Sequence, residues 1–283
     1  MLPELRLSRH ASAEAFLTRA QWWLLAAEAE HNLILGICER LVNRRERYAG
    51  QPYLITVDRG DEVVLAGAMT PPYKLVLTRS LVPDALGMVA EDLMGARMYP
   101  PGVLAPATEA RVFARVWRAL TGVEIASTED EAICELRAVV HPEYSSGRLR
   151  AATADEMDLL TRWRIAFMIE GGLHEDIEAS REATKDLLER GALYVWEDDG
   201  PVSCAATNRS TPHGVCIGVV YTPPPFRGRG YATSCVAALS QQILDSGREF
   251  CCLFAQLSNP TSTGIYERIG YVRVAEWADV AFE

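Results

Sequence analysis

The stretch from Val215 to Ala232 constrains the fold more than any other part of this 283-residue chain. It begins with a run of β-branched and aromatic residues, which favours a β-strand. The prolines from Pro223 to Pro225 end that strand, because proline cannot donate to the hydrogen bonds of a sheet. Apolar residues then recur at helical spacing, which predicts a helix beginning near Ala232. The stretch therefore predicts a strand, a turn and a helix.

The turn between this strand and helix runs from Arg227 to Ala232 and is rich in glycine. Gly228 and Gly230 allow the backbone to approach a ligand closely. The first N–H groups of a helix have no partner inside the helix and carry the positive end of its dipole. Such a turn suits a phosphate group, although a plain strand-to-helix connection has a similar composition. It lacks the lysine of a P-loop and the third glycine of a dinucleotide fingerprint.

Two motifs in this chain resemble those of a known superfamily. Residues Arg227 to Ala232 fit the pattern R-x-x-G-x-A and follow a hydrophobic strand. This combination resembles the acetyl-CoA motif of the GNAT superfamily of acyl-CoA N-acyltransferases. Downstream, Asn259 is followed seven residues later by Tyr266 and then by a glycine-aromatic pair, which resembles the family's final signature. The resemblance covers roughly residues 148–283, with a weaker echo in the first half.

The resemblance implies which residues bind acetyl-CoA and transfer its acetyl group, and it implies no metal. The family's fourth strand separates from its neighbour, so backbone groups of Val219, Val220 and Tyr221 would hold the pantetheine arm and polarise the thioester. Asn259 would steady the cofactor, and Tyr266 would bind it and donate a proton to the departing thiolate. The pyrophosphate would be bound by N–H groups of the turn residues Arg227, Gly228, Arg229, Gly230, Tyr231 and Ala232.

The acceptor site is less defined, and no general base is assigned. His174, Glu175 and Asp176 lie between two predicted helices, where this family shapes its acceptor site, but a solvated acidic loop has the same composition. Pro225 and Phe226 stand where close relatives often carry Glu and Tyr, which leaves the acceptor open. We expect direct acetyl transfer to a primary amine, most simply of a small molecule. The alternatives are a non-catalytic acyl-CoA-binding or regulatory protein and a protein N-acetyltransferase.

Composition narrows the class of protein further. The net charge of −10 and the pI of about 5.1 argue against binding of nucleic acid or of anionic membranes. The amino-terminal residues lack the apolar core of a signal peptide. The apolar segment from Trp22 to Leu41 is interrupted by three glutamates and a histidine, so it does not predict a membrane span. A cytoplasmic protein is expected, and its oligomeric state is left open.

The seven cysteines are scattered and include no C-x-x-C pair. Disulfide frameworks and structural zinc sites usually show regular cysteine spacing. Reduced thiols in the core are therefore predicted.

Two α/β halves are predicted, joined by the turn-rich segment from His141 to Gly147. Each is predicted to contain two helices, three strands, a helix, a strand, a helix and two strands. That order indicates a tandem repeat, although mixed α/β chains can share it by chance. The run from Leu77 to Pro83 stands where the first half would need its glycine turn, so bulky side chains would meet the phosphate.

We therefore predict an α/β fold with a mixed central sheet and helices on both faces. Residues 1–144 would form a degenerate GNAT-like domain, and residues 145–283 a catalytic N-acetyltransferase domain. Each half is predicted to close with two short strands. These are residues 123–125 and 132–140 in the first half, and 271–274 and 279–282 in the second.

Overall fold

A computed structural model describes residues 3–43, 50–172 and 176–283. The chain divides into two compact units. The first comprises Met1–Ile133, Ala255–Asn259 and Arg273–Glu283, and the second comprises Cys134–Phe254 and Pro260–Val272. The predicted division at residue 144 into a degenerate and a catalytic domain stays a prediction.

The first unit is a strand meander followed by one parallel strand pair. Its strands lie in the order β1-β2-β3-β4-β5-β12, and neighbours are antiparallel except β4 and β5. Its elements are β1 (Leu5–Arg9), α1 (Ala13–Leu25), α2 (Asn32–Asn43), β2 (Tyr53–Arg59), β3 (Glu62–Met69), β4 (Leu75–Leu77), α3 (Asp84–Gly95), β5 (Gly102–Pro106), α4 (Ala107–Thr121) and most of β6 (Ile125–Leu136) and β12 (Val272–Phe282).

The second unit repeats this order of elements. Its strands lie in the order β7-β8-β9-β10-β11, and only β10 and β11 are parallel. Both units therefore run strand, two helices, three strands, helix, strand, helix. Those of the second unit are β7 (Arg148–Ala151), α5 (Met157–Glu170), α6 (Ile177–Glu189), β8 (Leu193–Glu197), β9 (Pro201–Ser210), β10 (Gly214–Tyr221), α7 (Tyr231–Asp245), β11 (Phe250–Gln256) and α8 (Pro260–Arg268). The predicted α/β fold class is confirmed.

Local capping signals fix where several helices begin. Ser12 Oγ accepts a hydrogen bond from the N–H of Ala15 at 3.2 Å, so it caps α1 as predicted. Thr153 and Glu156 form the predicted capping box before α5, and the Thr153 N–H donates to Glu156 Oε2 at 2.8 Å. These contacts satisfy N–H groups that the helices themselves leave without partners.

The predicted paired closing strands are wrong in both halves. Residues 125–136 form the single strand β6, and residues 272–282 form the single strand β12. The polar residues of these strands suggested turns, but strand pairing uses backbone groups and tolerates polar side chains on an exposed face. Strand β1 was not predicted, although its five residues pair with β2 in antiparallel register. Leu5 and Leu7 alternate with polar residues, as is typical of strands, but five residues are too few for this pattern to predict a strand by itself.

Strand β12 completes the core of the first unit although it is the last strand of the chain. Residues Trp277 to Ala281 pair with β5 in antiparallel register. Ala278 and Val280 pack in the same buried cluster as Val103 and Trp117. The carboxyl-terminal residues therefore stabilise a unit formed mainly by the amino-terminal half.

The cysteines were predicted to be reduced thiols in the core. All seven cysteines are buried, and none forms a disulfide. Within the described ranges, no helix is both long enough and apolar enough to cross a lipid bilayer.

Replacing Trp277 with alanine should lower the free energy of unfolding by about 3–5 kcal/mol, the usual loss for a buried aromatic residue. Trp277 is fully buried in the first unit. Val274 lies on the same strand but is 43% exposed, so Val274→Ala should stay within about 0.5 kcal/mol of wild type. Urea denaturation of both variants measures the difference. Equal losses in the two variants would show that β12 does not contribute to the core as described.

Candidate active site

Strands β10 and β11 are paired only where they begin. Gly214–Cys216 align in parallel with Phe250–Cys252, and both strands continue beyond this point. No further residues of the two strands pair in the described part of the chain. The backbone groups on the later part of β10 are therefore not paired with β11. This agrees with the strand separation that the resemblance implies.

The later part of β10 is also irregular on its other side. The pairing with β9 shifts register between Gly218 and Tyr221, so Val219 and Val220 have no aligned residue there. Val219 has a φ of 50°, a conformation that a β-branched residue rarely adopts. Such a bulge changes the direction of backbone groups. The three residues predicted to hold the pantetheine arm thus lie at or beside a bulge next to a strand separation.

The glycine turn that follows β10 has N–H groups without an acceptor among the described residues. Gly228 and Gly230 have φ values of 75° and 78°, which lie in the left-handed region. Helix α7 begins at Tyr231, one residue before the predicted start. The six N–H groups of residues 228–233 donate to no acceptor within the described ranges. A Cβ on Gly228 would meet no atom within 4 Å, so the space beside it is open.

The matching turn of the first unit has fewer free donors, because three of its N–H groups donate to acceptors in the protein. The N–H of Ser80 donates to Glu109 Oε1 at 3.1 Å, and that of Leu81 donates to the Val64 carbonyl at 2.9 Å. The N–H of Val82 donates to Ser80 Oγ at 3.3 Å, and the next residue is a proline. A carboxylate thus occupies the direction from which a phosphate would be bound. The structure gives a second reason, besides bulky side chains, why this turn is unsuited to phosphate.

Arg227 turns its side chain away from the glycine turn. Its Nη2 atom lies 2.7 Å from Glu170 Oε2, and its Nε donates to the Thr222 carbonyl at 2.8 Å. The guanidinium also lies 5.6 Å from the centre of the Tyr221 ring, whose hydroxyl donates to Glu170 Oε1 at 3.2 Å. The hydrogen bond with Glu170 raises the pKa of Arg227. Glu170 therefore joins the end of α5 to the end of β10.

Sequence reasoning did not single out Glu170. The available signal is its position directly before Gly171 and Gly172, which places a carboxylate at the end of a helix. Its partner Arg227 lies 57 positions further along the chain, so no local pattern connects them.

Tyr266 lies in α8 and is buried. Its ring meets the edge of the Tyr271 ring, with centres 5.9 Å apart. Its hydroxyl makes no hydrogen bond to any residue that the structure describes. Burial raises the pKa of the phenol, and the nearby thiols of Cys134 and Cys216 raise it further. The hydroxyl is therefore protonated at neutral pH and available as a donor.

The structure says less about the other residues that the sequence predicts for the site. Asn259 belongs to the first unit, where its N–H donates to the Gln256 carbonyl at 3.1 Å. His174 and Glu175 lie outside the described residues. Asp176 caps α6 by accepting from the N–H of Ala179 at 2.9 Å, which gives it a structural role. Among the described residues, no group of three His, Cys, Asp or Glu side chains could hold a metal ion.

Comparisons with known proteins bear on the fold of this chain. Residues 199–278 match the model of the FR47-like protein family. The chain has the GNAT acetyltransferase fold. A GCN5-related N-acetyltransferase from Sphaerobacter thermophilus is similar, with a TM-score of 0.62 and 16% identity over 100% of this chain and 97% of that one. No curated protein matches the chain in sequence.

Two other GNAT structures match over nearly the whole chain. The GNAT family acetyltransferase from Colwellia psychrerythraea has a TM-score of 0.60 and 10% identity, covering 98% of this chain and 100% of that one. A tandem GNAT protein from the clavulanic acid biosynthesis pathway has a TM-score of 0.54 and 14% identity, covering 99% and 98%. The predicted resemblance to the GNAT superfamily is thereby confirmed. Identities this low show a shared GNAT fold and carry no information about substrates.

The two glycines of the turn should respond differently to substitution. Gly228→Ala should cost about 1–2 kcal/mol of stability, because only the left-handed backbone opposes it. Gly230→Ala should cost about 1 kcal/mol more, because its Cβ would lie 2.8 Å from Ser145 Oγ and displace that hydroxyl from its hydrogen bond. Urea denaturation measures both losses. The described turn geometry is wrong if the two variants are equally stable.

Proposed function

We propose that this protein is an acetyl-CoA-dependent N-acetyltransferase that transfers an acetyl group directly to a primary amine. The observation that carries this proposal is the combination found at the end of β10. There, a strand separation with a bulge leads directly into a turn whose six N–H groups have no acceptor within the described ranges. The turn suits a pyrophosphate, and the free backbone of β10 suits the pantetheine arm that extends from it.

The residues of the turn fit the pyrophosphate of CoA. N–H groups at the start of a helix bind anions through hydrogen bonds and through the helix dipole. The turn holds two left-handed glycines, and open space lies beside Gly228. The N–H groups of Gly228, Arg229, Gly230, Tyr231 and Ala232 would bind the phosphates. Acetyl-CoA, when bound, supplies the activated acetyl thioester.

Backbone groups of β10 would orient the reacting carbonyl. Val219, Val220 and Tyr221 are proposed to hold the pantetheine arm, since the bulge leaves Val219 and Val220 without an aligned residue on β9. Tyr221 is aligned with Cys204, and its carbonyl accepts from Ser203 Oγ at 3.1 Å. Fixed backbone dipoles that face a developing negative charge stabilise acyl transfer. The hydroxyl of Tyr266 would then give its proton to the departing thiolate. No residue is assigned as the base that deprotonates the acceptor.

The acceptor is proposed to be a small-molecule amine. The acidic chain, with its net charge of −10, favours cations over nucleic acids and anionic membranes. The compartment proposed from the sequence is the cytoplasm.

Turnover of acetyl-CoA with a panel of primary amines tests the proposed function. Release of the CoA thiol should depend on both the protein and an amine, and calorimetry should show that CoA binds. Tight CoA binding without turnover would favour a non-catalytic acyl-CoA-binding or regulatory protein. Turnover only with lysine-containing polypeptides would favour a protein N-acetyltransferase. Absence of CoA binding would overturn the proposal.

Tyr266→Phe should lower the rate of the chemical step by about 10²- to 10⁴-fold, the usual contribution of general acid catalysis. The change removes only a hydroxyl, so the dissociation constant for CoA should change little. Tyr271→Phe is the matched control, because that neighbouring hydroxyl is bound to Ser240 at 2.9 Å and has no assigned part in proton transfer. Single-turnover kinetics and calorimetry separate the two effects. A loss confined to CoA affinity would show that Tyr266 contacts the cofactor without acting as the general acid.

The pH dependence gives a second test of the same role. Burial raises the pKa of Tyr266 above its ordinary value of about 10, so the phenol keeps its proton at neutral and mildly basic pH. The wild-type and Tyr266→Phe rates should therefore differ by a constant factor from about pH 6 to pH 9. A factor that shrinks as the pH rises through this range would show that the phenol ionises there, which contradicts the acid role.

A further inference from the structure

Ser145 lies in the segment between the predicted halves, yet it contacts the glycine turn directly. Its Oγ donates to the carbonyl of Arg229 at 2.7 Å. Its backbone N–H donates to Ser234 Oγ, in the second turn of α7, at 2.9 Å. Both the side chain and the main chain of Ser145 therefore hold the start of this helix. All three residues belong to the second unit.

The hydrogen bond to Arg229 fixes the direction of an N–H group on the other side of the same peptide. In a planar trans peptide, the carbonyl of one residue and the N–H of the next point in opposite directions. Holding the Arg229 carbonyl toward Ser145 thus turns the Gly230 N–H away from Ser145. That N–H is one of the six that have no acceptor within the described ranges.

The glycine at position 230 is matched to this contact. Its left-handed φ of 78° disfavours a side chain. An added Cβ would also lie 2.8 Å from Ser145 Oγ, too close for the serine to stay in place. A side chain in place of Gly230 would therefore point at Ser145, whereas one in place of Gly228 would point into open space. Gly230 therefore has a structural role in addition to the close approach of a ligand that the sequence predicts.

The segment that carries Ser145 is itself fixed. The Tyr144 ring is stacked on the Trp196 ring, with centres 6.3 Å apart and planes 12° apart. The indole N–H of Trp196 donates to the Ser146 carbonyl at 2.8 Å. Residues on both sides of Ser145 are thus anchored to β8, so the serine hydroxyl is held in position before any ligand binds.

We propose that Ser145 is a positioning residue for the phosphate-binding turn. It holds the Arg229 carbonyl on one side so that the Gly230 N–H is preorganised toward the pyrophosphate of CoA on the other. The proposal rests on the proposed function, because it assumes that CoA binds at this turn. Preorganised donors bind more tightly because less ordering is needed when the ligand arrives.

Ser145→Ala should weaken CoA binding in the full-length protein by about 3- to 10-fold, the value of one hydrogen bond. The KM for acetyl-CoA should rise while kcat stays unchanged. With S-acetylpantetheine, which has no pyrophosphate, both constants should equal those of wild type. Ser234→Ala removes the other anchor of Ser145 and should give the same selective loss.

Ser246→Ala is the matched control. Its hydroxyl also donates to a main-chain carbonyl, that of Ile243 at 2.6 Å, but at the opposite end of α7. A helix of 15 residues is about 22 Å long, so this variant should bind CoA like wild type.

Hydrogen exchange of the ligand-free protein gives a readout that does not depend on activity. Exchange of the Ser234 N–H, which donates to the Gly230 carbonyl at 3.0 Å, should quicken in Ser145→Ala and not in Ser246→Ala, because the first turn of α7 is then held less firmly. The proposal is overturned if Ser145→Ala binds CoA like wild type, or if acetyl-CoA and S-acetylpantetheine are affected equally. If wild type itself binds no CoA, the proposed function fails first and this inference fails with it.

Discussion

Six backbone N–H groups at the start of α7 need an acceptor that the described protein does not provide. Unpaired backbone donors are costly when they are buried, so such groups normally face water or a ligand. Two left-handed glycines allow this arrangement, since other residues would be strained there. The bulge in β10, its early separation from β11 and the fixed position of Ser145 all serve the same end. Together they leave backbone groups free at the carboxyl-terminal end of β10 and at the amino-terminal end of α7.

The corresponding turn of the first unit shows a different arrangement of backbone N–H groups. They share the order of their elements and the single parallel strand pair. In the first unit, however, Ser80, Leu81 and Val82 give their N–H groups to Glu109, Val64 and a serine hydroxyl. A donor that is already satisfied gains little from a phosphate. The first unit thus keeps the framework of the second, but three N–H groups of its turn already have acceptors in the protein.

The charged residues near the site act mainly on one another. Arg227 is predicted by the motif, but its guanidinium is held by Glu170 and by the Thr222 carbonyl. In the proposed site the turn acts through its backbone more than through the side chain of Arg227. Backbone donors are suited to this task, because their direction is fixed by the fold and costs no side-chain entropy. The structure therefore indicates that the glycines of the motif, more than the side chain of Arg227, suit this turn to a phosphate.

The sequence by itself determined the local features of this protein. The strand, turn and helix around Gly228 and Gly230, the cap at Ser12 and the capping box at Thr153 follow from residues within a few positions of each other, so each could be read directly. The α/β class and the GNAT resemblance follow from the same patterns. The assignments of Asn259 and Tyr266 come from the motif and stay predictions.

Only the tertiary structure decided the features that depend on residues far apart in the chain. It showed that β6 and β12 are single strands, that the pairing of β10 with β11 stops at Cys216, and that Glu170 holds Arg227. It also placed Ser145 against a turn 84 positions away. Strand pairing and side-chain contacts across such distances depend on how the whole chain packs, and no local pattern of residue types encodes them.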